Sequence, residues 1–368
     1  MNLNRELEQD LASYVTPVYT IDCALGSNPF GAPEISPDQM LEILDEINEY
    51  YSFSNLAQLS HLVSRYLGVS GDDLTFTTGS LGGLELIFNK LIDQTQRTMI
   101  GIGPQFVEGV SEFLLVGGKY QALNMFEFNC DNDLFGALED KILREKPTLV
   151  YIDNPNNPTG RIYDKQHLLS LCHVCEEAGS LLIIDEAYGE FLTDEQSMVK
   201  ACQQYSHLMV LRTFSKGLGL AALRLGYIVS SPALTPYLQS AVTVFTPSLP
   251  ALKIACHILP KAKKFVASNQ AKAIKFKRAV MDVLHTHSFN IVPTSEQTPI
   301  LLVHRQGVNM ADMLRQLGIL TCSGQHFQIT NPTMDEEYAR LRIVGNERDL
   351  HQLSLRLKNC MQAHSDMR

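Results

Sequence analysis

Six short apolar runs, alternating with stretches of helical periodicity, constrain this chain more than any other feature. The runs are Leu74–Thr77, Thr98–Ile102, Thr148–Ile152, Leu181–Ile184, His207–Leu211 and Leu225–Val229. Between them lie helical patterns such as Leu81–Ile92, Phe135–Arg144 and Lys165–Ala178. This alternation predicts βα units around a mainly parallel sheet, an α/β fold. After Ser231 the pattern changes. Long helices run to about His287, followed by apolar runs at Asn290–Val292 and Ile300–His304, a helix over Asn309–Leu317, and a last run at Arg340–Val344. That order predicts a smaller α+β domain, and 368 residues are enough for two domains.

Charge and composition exclude several function classes. Thirty Lys and Arg stand against forty Asp and Glu, a formal charge of −10, which argues against a nucleic-acid or anionic-membrane partner. No stretch approaches the roughly eighteen apolar residues that a membrane-spanning helix needs. The first residues, Met1 to Glu6, lead into an acidic amphipathic pattern rather than an export signal, so a cytoplasmic protein is expected. Eight scattered cysteines fit reduced thiols better than a disulfide framework. Cys172 and Cys175 form a CxxC inside a helical pattern, with no second pair nearby to complete a zinc site, and no metal is expected. No acidic residue occurs between Glu195 and Asp282, whereas twelve Lys or Arg do. Most of these read as the solvated face of a helix around Lys261–Arg278.

The residues just beyond the strand ends carry the chemistry. They are Thr77-Thr78-Gly79-Ser80, Asp153-Asn154-Pro155-Asn156-Asn157, Asp185-Glu186-Ala187-Tyr188 and Arg212-Thr213-Phe214-Ser215-Lys216. Open α/β sheets bind ligands outside the carboxyl ends of their strands, so four such clusters describe one site. Gly79-Ser80-Leu81 opens a helix whose free N–H groups form an anion cup. Asn154 to Gly160 fixes a rigid turn that presents amide side chains. Asp185, ending an apolar strand, is costly to bury unless it meets a cation, such as a protonated pyridine nitrogen. Lys216 lies in an apolar, glycine-rich turn, and desolvation with a nearby cation lowers a lysine pKa, as an imine-forming amine requires. Arg224 is suited to bidentate phosphate binding.

Asn-Pro-x-Asn-Pro-Thr-Gly, Asp-Glu-Ala-Tyr and Ser-Lys-x-x-Gly-Leu-x-x-x-Arg-x-Gly-Tyr, in this order, resemble the fold-type I pyridoxal-phosphate enzymes of aminotransferase class I/II. The likeness is greatest to histidinol-phosphate aminotransferase and threonine-phosphate decarboxylase, and it runs from Asn28-Pro29-Phe30-Gly31 to Leu341-Arg342-Ile343. It implies a three-layer α/β/α large domain over residues 36–235 and a small domain made of 1–35 and 236–368. Lys216 would carry pyridoxal 5′-phosphate as an internal aldimine and move the proton. Asp185 would pair with the ring nitrogen, and Asn157 and Tyr188 would bond the ring's phenolic oxygen. Gly79, Ser80, Leu81, Thr213, Ser215 and Arg224 would hold the phosphate, and Phe106 would stack on the ring. Tyr51 would reach the neighbouring subunit's site, implying a homodimer. Arg342 would grip the substrate carboxylate, with Asn157 and Asn28 beside the substrate. The implied activity is ping-pong transfer of an amino group from an amino acid to a 2-oxo acid.

Two departures bear on the substrate. The family's Gly-Ile-Leu-x-Arg, whose arginine helps bind a substrate phosphate, here reads Gly318-Ile319-Leu320-Thr321-Cys322. The acidic residue usual before Asn-Pro is replaced by Ser27. Both favour a substrate without phosphate. Three rival readings share some of these residues. Gly217-x-Gly219-x-x-Ala222 lacks the acidic partner of a dinucleotide fingerprint. A decarboxylase or lyase would use the same lysine and aspartate. A non-catalytic pyridoxal-binding protein would keep the fold without turnover.

Overall fold

The computed structural model describes residues 20–365, apart from 94 and 96. The part of the expected small domain before Thr20 lies outside the described residues. A two-residue strand β1 (Ile21–Asp22) precedes the main sheet. That sheet has seven strands: β2 (Leu74–Thr77), β3 (Thr98–Gly103), β4 (Lys119–Asn124), β5 (Leu149–Asp153), β6 (Leu181–Asp185), β7 (Leu208–Thr213) and β8 (Gly226–Ser230), in the order 2-8-7-6-5-3-4. β8 is antiparallel to both neighbours, and the other pairs are parallel.

Successive side chains of a strand point to opposite faces, and here each face meets its own layer of helices. Val150, Ile152, Leu182, Ile184, Leu208 and Val210 pack with α5 (Asp131–Glu145) and α6 (Lys165–Ala178). Leu149, Tyr151, Ile183, Met209 and Leu211 pack instead with α3 (Gly79–Leu86) and α4 (Val107–Leu115). The result is the expected three-layer α/β/α arrangement. Two helices without a sequence forecast, α1 (Pro37–Leu44) and α2 (Phe53–Leu67), start at capping boxes built on Ser36 with Gln39 and Ser52 with Asn55.

A second, antiparallel sheet has the order β12-β13-β10-β9. Its strands are β9 (Asn290–Ile291), β10 (Ile300–His304), β12 (Cys322–Ser323) and β13 (Tyr338–Arg342). The remaining strand, β11 (Ile319–Leu320), pairs in parallel with β1. Ile21 and Cys23 therefore share an apolar cluster with Ile300, Leu301, Ile319 and Leu341. Helix α7 (Thr235–Ala241) packs on the large sheet through Leu238, whereas α9 (Met310–Gln316) and α10 (Glu347–Ser365) complete the smaller half with α8 (Leu249–Thr286). Helix α8 spans both bodies: Leu252, Ile258 and Ala262 pack with the large core, and Ala273, Phe276 and Val280 with the small one. Its Lys261, Lys263, Lys264, Lys272 and Lys275 are exposed, but Lys277 turns inward and donates to Thr294 Oγ1 (2.9 Å) and the Thr298 carbonyl (3.1 Å).

Several boundaries move. The last strand is Tyr338–Arg342, not Arg340–Val344, which puts Arg340 inside the strand. Strand β4 had no forecast, because this edge strand exposes Lys119 and Gln121 and lacks an apolar run. The forecast helix Leu81–Ile92 begins earlier, at Gly79, and loosens into a wide turn over Ile87–Leu91. Among the described residues, no helix is long and apolar enough to cross a membrane.

Candidate active site

Strands β5 and β6 run parallel in register, so Asp153 and Asp185 end side by side at the carboxyl edge of the sheet. Asp185 Oδ2 accepts from Tyr151 Oη (3.1 Å) and Oδ1 accepts from the Ala187 amide (2.9 Å). Burial pushes its carboxyl up to about 6, against the opposing pull of the Tyr151 hydrogen bond and the Lys216 ammonium. Asp153 is also fully enclosed, and burial pushes it up to about 7. Its oxygens accept from Asn156 Nδ2 (2.8 Å) and from the amides of Asn157 (2.9 Å) and Phe106 (3.0 Å). Asp153 thus pins the Asn157 turn and the Phe106 turn together. Glu186, one residue beyond Asp185, faces the opposite way. It accepts from Arg212 Nη1 (3.1 Å), Ser197 Oγ (2.7 Å) and the Met198 amide (2.6 Å), and so belongs to the supporting core.

Lys216 stands three residues beyond β7, with its Nζ 5.5 Å from the centre of the Tyr188 ring. Below it, Ser215 N donates to Thr213 Oγ1 (3.2 Å), Thr213 Oγ1 donates to Ser215 Oγ (3.0 Å), and Arg224 Nη1 donates to Ser215 Oγ (3.3 Å). Arg224 lies against the start of α3, where Gly79 has φ +81°. A β-carbon on Gly79 would stand 2.9 Å from Arg224 Nη2. No side chain caps this helix, so the Gly79, Ser80 and Leu81 amides are left to an incoming ligand.

A cavity of about 420 Å³ opens between the two sheets. Ser80, Phe106, Asn157, Asp185, Tyr188 and Lys216 line one side. The other wall comes from Leu25 and Gly26, from Thr321 and Cys322, and from Arg340. Glu108 and His326, 3.4 Å apart, also line it. Gly26 leaves open the space that the tips of the lysine and tyrosine occupy. A β-carbon there would meet Lys216 Nζ at 2.7 Å, Tyr188 Oη at 2.9 Å and Arg340 Nη1 at 3.7 Å.

Three sequence candidates sit elsewhere. Asn28 is consumed in tying the N-terminal segment to the lysine loop: its Nδ2 donates to the Gly217 carbonyl (2.9 Å), and its Oδ1 accepts from the Phe30 amide (2.9 Å). Tyr51 Oη donates to the Thr246 carbonyl (3.1 Å) in an outer groove beside Phe53 and Phe245, away from Lys216. Arg342 does not line the cavity. Its Nη1 donates to Ser27 Oγ (2.7 Å), and its Nη2 to the Asp22 carbonyl. Sequence reasoning missed Gly26 and Arg340, and it placed Asp153 at a strand end without giving it a role. For Asp153 a signal existed, since an aspartate before the Asn-Pro turn at a buried strand end requires donors.

The donor set fits pyridoxal 5′-phosphate. Asn157 Oδ1 and Tyr188 Oη are buried without partners, and both residues line the cavity beside Lys216. The anionic Asp185 faces the same space, and the uncapped start of α3 with Arg224 beside Gly79 supplies the donors a phosphate requires.

The fold and this carboxylate–lysine–tyrosine arrangement define a three-layer enzyme of fold-type I. The family model for aminotransferase class I and II matches residues 25–356, and the chain belongs to that family, whose cofactor is pyridoxal 5′-phosphate. Histidinol-phosphate aminotransferase of Ruminiclostridium cellulolyticum is 29% identical over 246 residues, covering 63% of this chain and 66% of that protein. A crystal structure of histidinol-phosphate aminotransferase from Sinorhizobium meliloti with pyridoxal 5′-phosphate superposes with a TM-score of 0.78 at 18% identity, covering 99% of this chain and 95% of the other. L-threonine-O-3-phosphate decarboxylase from Porphyromonas gingivalis gives 0.75 at 18% identity, covering 93% and 99%.

Proposed function

We propose that the protein is a transaminase that moves an amino group from an amino acid to a 2-oxo acid in two half-reactions, with Lys216 as the proton carrier. The observation that carries this reading is the convergence of Lys216 Nζ and Tyr188 Oη over Gly26, beside Asp185 and Asn157 in one cavity. The bound cofactor supplies an electron sink that stabilises negative charge at the substrate Cα. Asp185 would hold the positive end of that sink, and Asn157 and Tyr188 would orient its phenolic edge. The Gly79, Ser80 and Leu81 amides, Thr213, Ser215 and Arg224 would anchor the phosphate. Phe106 would close one face. Lys216 Nζ would take the proton from the substrate Cα and hold it for return. Arg342 orients the substrate carboxylate, which requires it to exchange part of its bonding to Ser27 for the ligand.

We further propose that residues 36–235 form the body that holds the cofactor, while the N-terminal segment and residues 236–368 close over the substrate. A homodimer is also proposed, supported by the exposed apolar side chains of Tyr50, Phe53, Val244 and Phe245 around Tyr51. Sedimentation as a monomer would remove that part. The seven described cysteines are free thiols, which supports a cytoplasmic setting.

The loss of arginine at position 322 no longer argues for a substrate without phosphate. Register places Arg340 directly opposite Cys322, in the same cavity wall, so a guanidinium is still present there. The test is the visible spectrum of the loaded protein titrated with a panel of amino acids and no oxo acid. Stoichiometric loss of the lysine-bound band with one amino acid identifies transamination and the donor together. Persistence of the band with release of CO₂ or ammonia would replace this reading with decarboxylation or elimination.

A further inference from the structure

We infer that Arg340 determines specificity by holding a second anionic group of the substrate, apart from the carboxylate assigned to Arg342. The inference rests on the transaminase reading above.

The observations concern a guanidinium buried without a counter-ion. Arg340 is 8% exposed. Its Nη2 donates to the Ala24 carbonyl, its Nε is buried with no partner, and its Nη1 faces the point where Lys216 Nζ and Tyr188 Oη converge. Among the described residues, no carboxylate lies within 4.0 Å of it. Glu108 in the same wall feels the Arg340 charge, but its close partner is His326 at 3.4 Å. Cys322 contributes only a thiol beside the guanidinium, and burial pushes that thiol up and keeps it neutral. A buried cation with unfilled donors is expensive unless something anionic completes it.

The cofactor does not complete it, because the phosphate cradle of Gly79, Thr213, Ser215 and Arg224 is a separate cluster with its own arginine. Arg340 and Arg342 lie two residues apart on one face of β13, so their attachment points are about 7 Å apart. That spacing suits two anions joined by a short carbon chain. The ligand class is therefore an amino acid whose side chain ends in a carboxylate or a phosphate. A neutral side chain would leave the guanidinium facing apolar atoms.

The test uses the loaded enzyme and acids that cannot react because they lack an amino group: glutarate, 3-phosphonopropanoate and butanoate. Calorimetric titration of the wild-type protein should show the two-anion acids binding at least ~10-fold more tightly than butanoate, the gain typical of one charge-assisted contact. Arg340→Gln should abolish that preference while leaving butanoate affinity within about twofold, and Arg340→Lys should keep most of it. Whichever of glutarate and 3-phosphonopropanoate binds more tightly identifies the side-chain anion. Survival of the preference in Arg340→Gln would overturn the inference. So would an equal loss of butanoate binding, which would make Arg340 the holder of the common carboxylate. The visible band of the lysine-bound cofactor is recorded in every variant. A wild-type protein that never shows it refutes the transaminase reading, whereas an intact band with an unchanged preference refutes only the role of Arg340.

Discussion

Replacing Asp185 by asparagine should stabilise the empty protein at neutral pH and weaken the loaded one. Burial raises the Asp185 carboxyl from an ordinary 3.8 to about 6 in the cofactor-free chain. An acid that holds its proton more tightly when folded adds stability below pH 4, and that stability is lost as the pH rises through 6. The difference corresponds to about 3 kcal/mol. Asparagine is nearly isosteric and does not ionise; its oxygen can accept from the Ala187 amide while its NH2 donates to Tyr151 Oη. The melting temperature of wild type relative to Asp185→Asn should therefore fall by about 4 °C between pH 4 and pH 7.5, taking ~2.1 cal/mol/K per residue for the unfolding entropy. Asp153 also titrates in this window, raised mainly by its burial, and because the neighbouring Asp185 charge adds to that rise, Asp153 is raised less in the variant.

With pyridoxal 5′-phosphate bound, the order should reverse. A carboxylate opposite a cationic ring nitrogen is held ionised, and the asparagine variant lacks that attraction, so it should release cofactor faster and lose turnover. Differential scanning fluorimetry of both proteins, empty and loaded, across pH 4 to 8 measures both halves. A melting difference that stays flat with pH in the empty proteins would refute the burial argument. A variant that retains cofactor as tightly as wild type would refute the placement of Asp185 against the ring.

Three further substitutions examine other parts of the site. Lys216→Ala should abolish turnover and the visible band of the lysine-bound cofactor, and retained transamination would remove Lys216 from its role. Gly26→Ala would put a methyl group 2.7 Å from Lys216 Nζ. Turnover should fall ~100-fold or more, as displacements near 1 Å do, with the melting temperature little changed; unaltered kcat would mean that the lysine works elsewhere. Arg342→Ala should raise KM for the amino acid ~10- to 100-fold, the value of a charge-assisted hydrogen bond, while cofactor content stays constant. Unchanged KM and kcat would leave Arg342 as a strut between β13 and Ser27.

The parts of the site that were legible in the sequence are those in which chemistry and chain order coincide. Asp185, Asn157, Lys216 and Arg224 each sit within a few residues of an apolar run, so one strand end announces both the position and the residue type. The strands themselves were readable wherever both faces are buried, as in Leu181–Asp185, and unreadable at the edge, as in Lys119–Asn124. Arg340 was hidden for a different reason. Its meaning depends on register across β12, a strand of two residues that carries no periodic signal, and on a boundary two residues earlier than the apolar run implies. The missing charge at Cys322 was visible in the sequence, but its replacement across the ladder was not.

Gly26 and Asn28 show how the N-terminal segment joins the two bodies at the lysine. Asn28 does not touch substrate space. Its amide donates to the Gly217 carbonyl, immediately after Lys216, and its neighbour Ser27 accepts from Arg342 at the end of β13. Two more close contacts fix the same segment: a β-carbon on Gly219 would collide with the Gly31 carbonyl at 2.2 Å, and one on Gly345 with the Pro29 carbonyl at 1.8 Å. Residues 26–31 are thus held between the lysine loop on one side and the carboxyl end of β13 on the other. This segment therefore links the second sheet to the loop that carries Lys216. A substrate anion that draws Arg342 away from Ser27 would therefore loosen one end of a strut whose other end holds the Lys216 loop, coupling carboxylate capture to the placement of the amine.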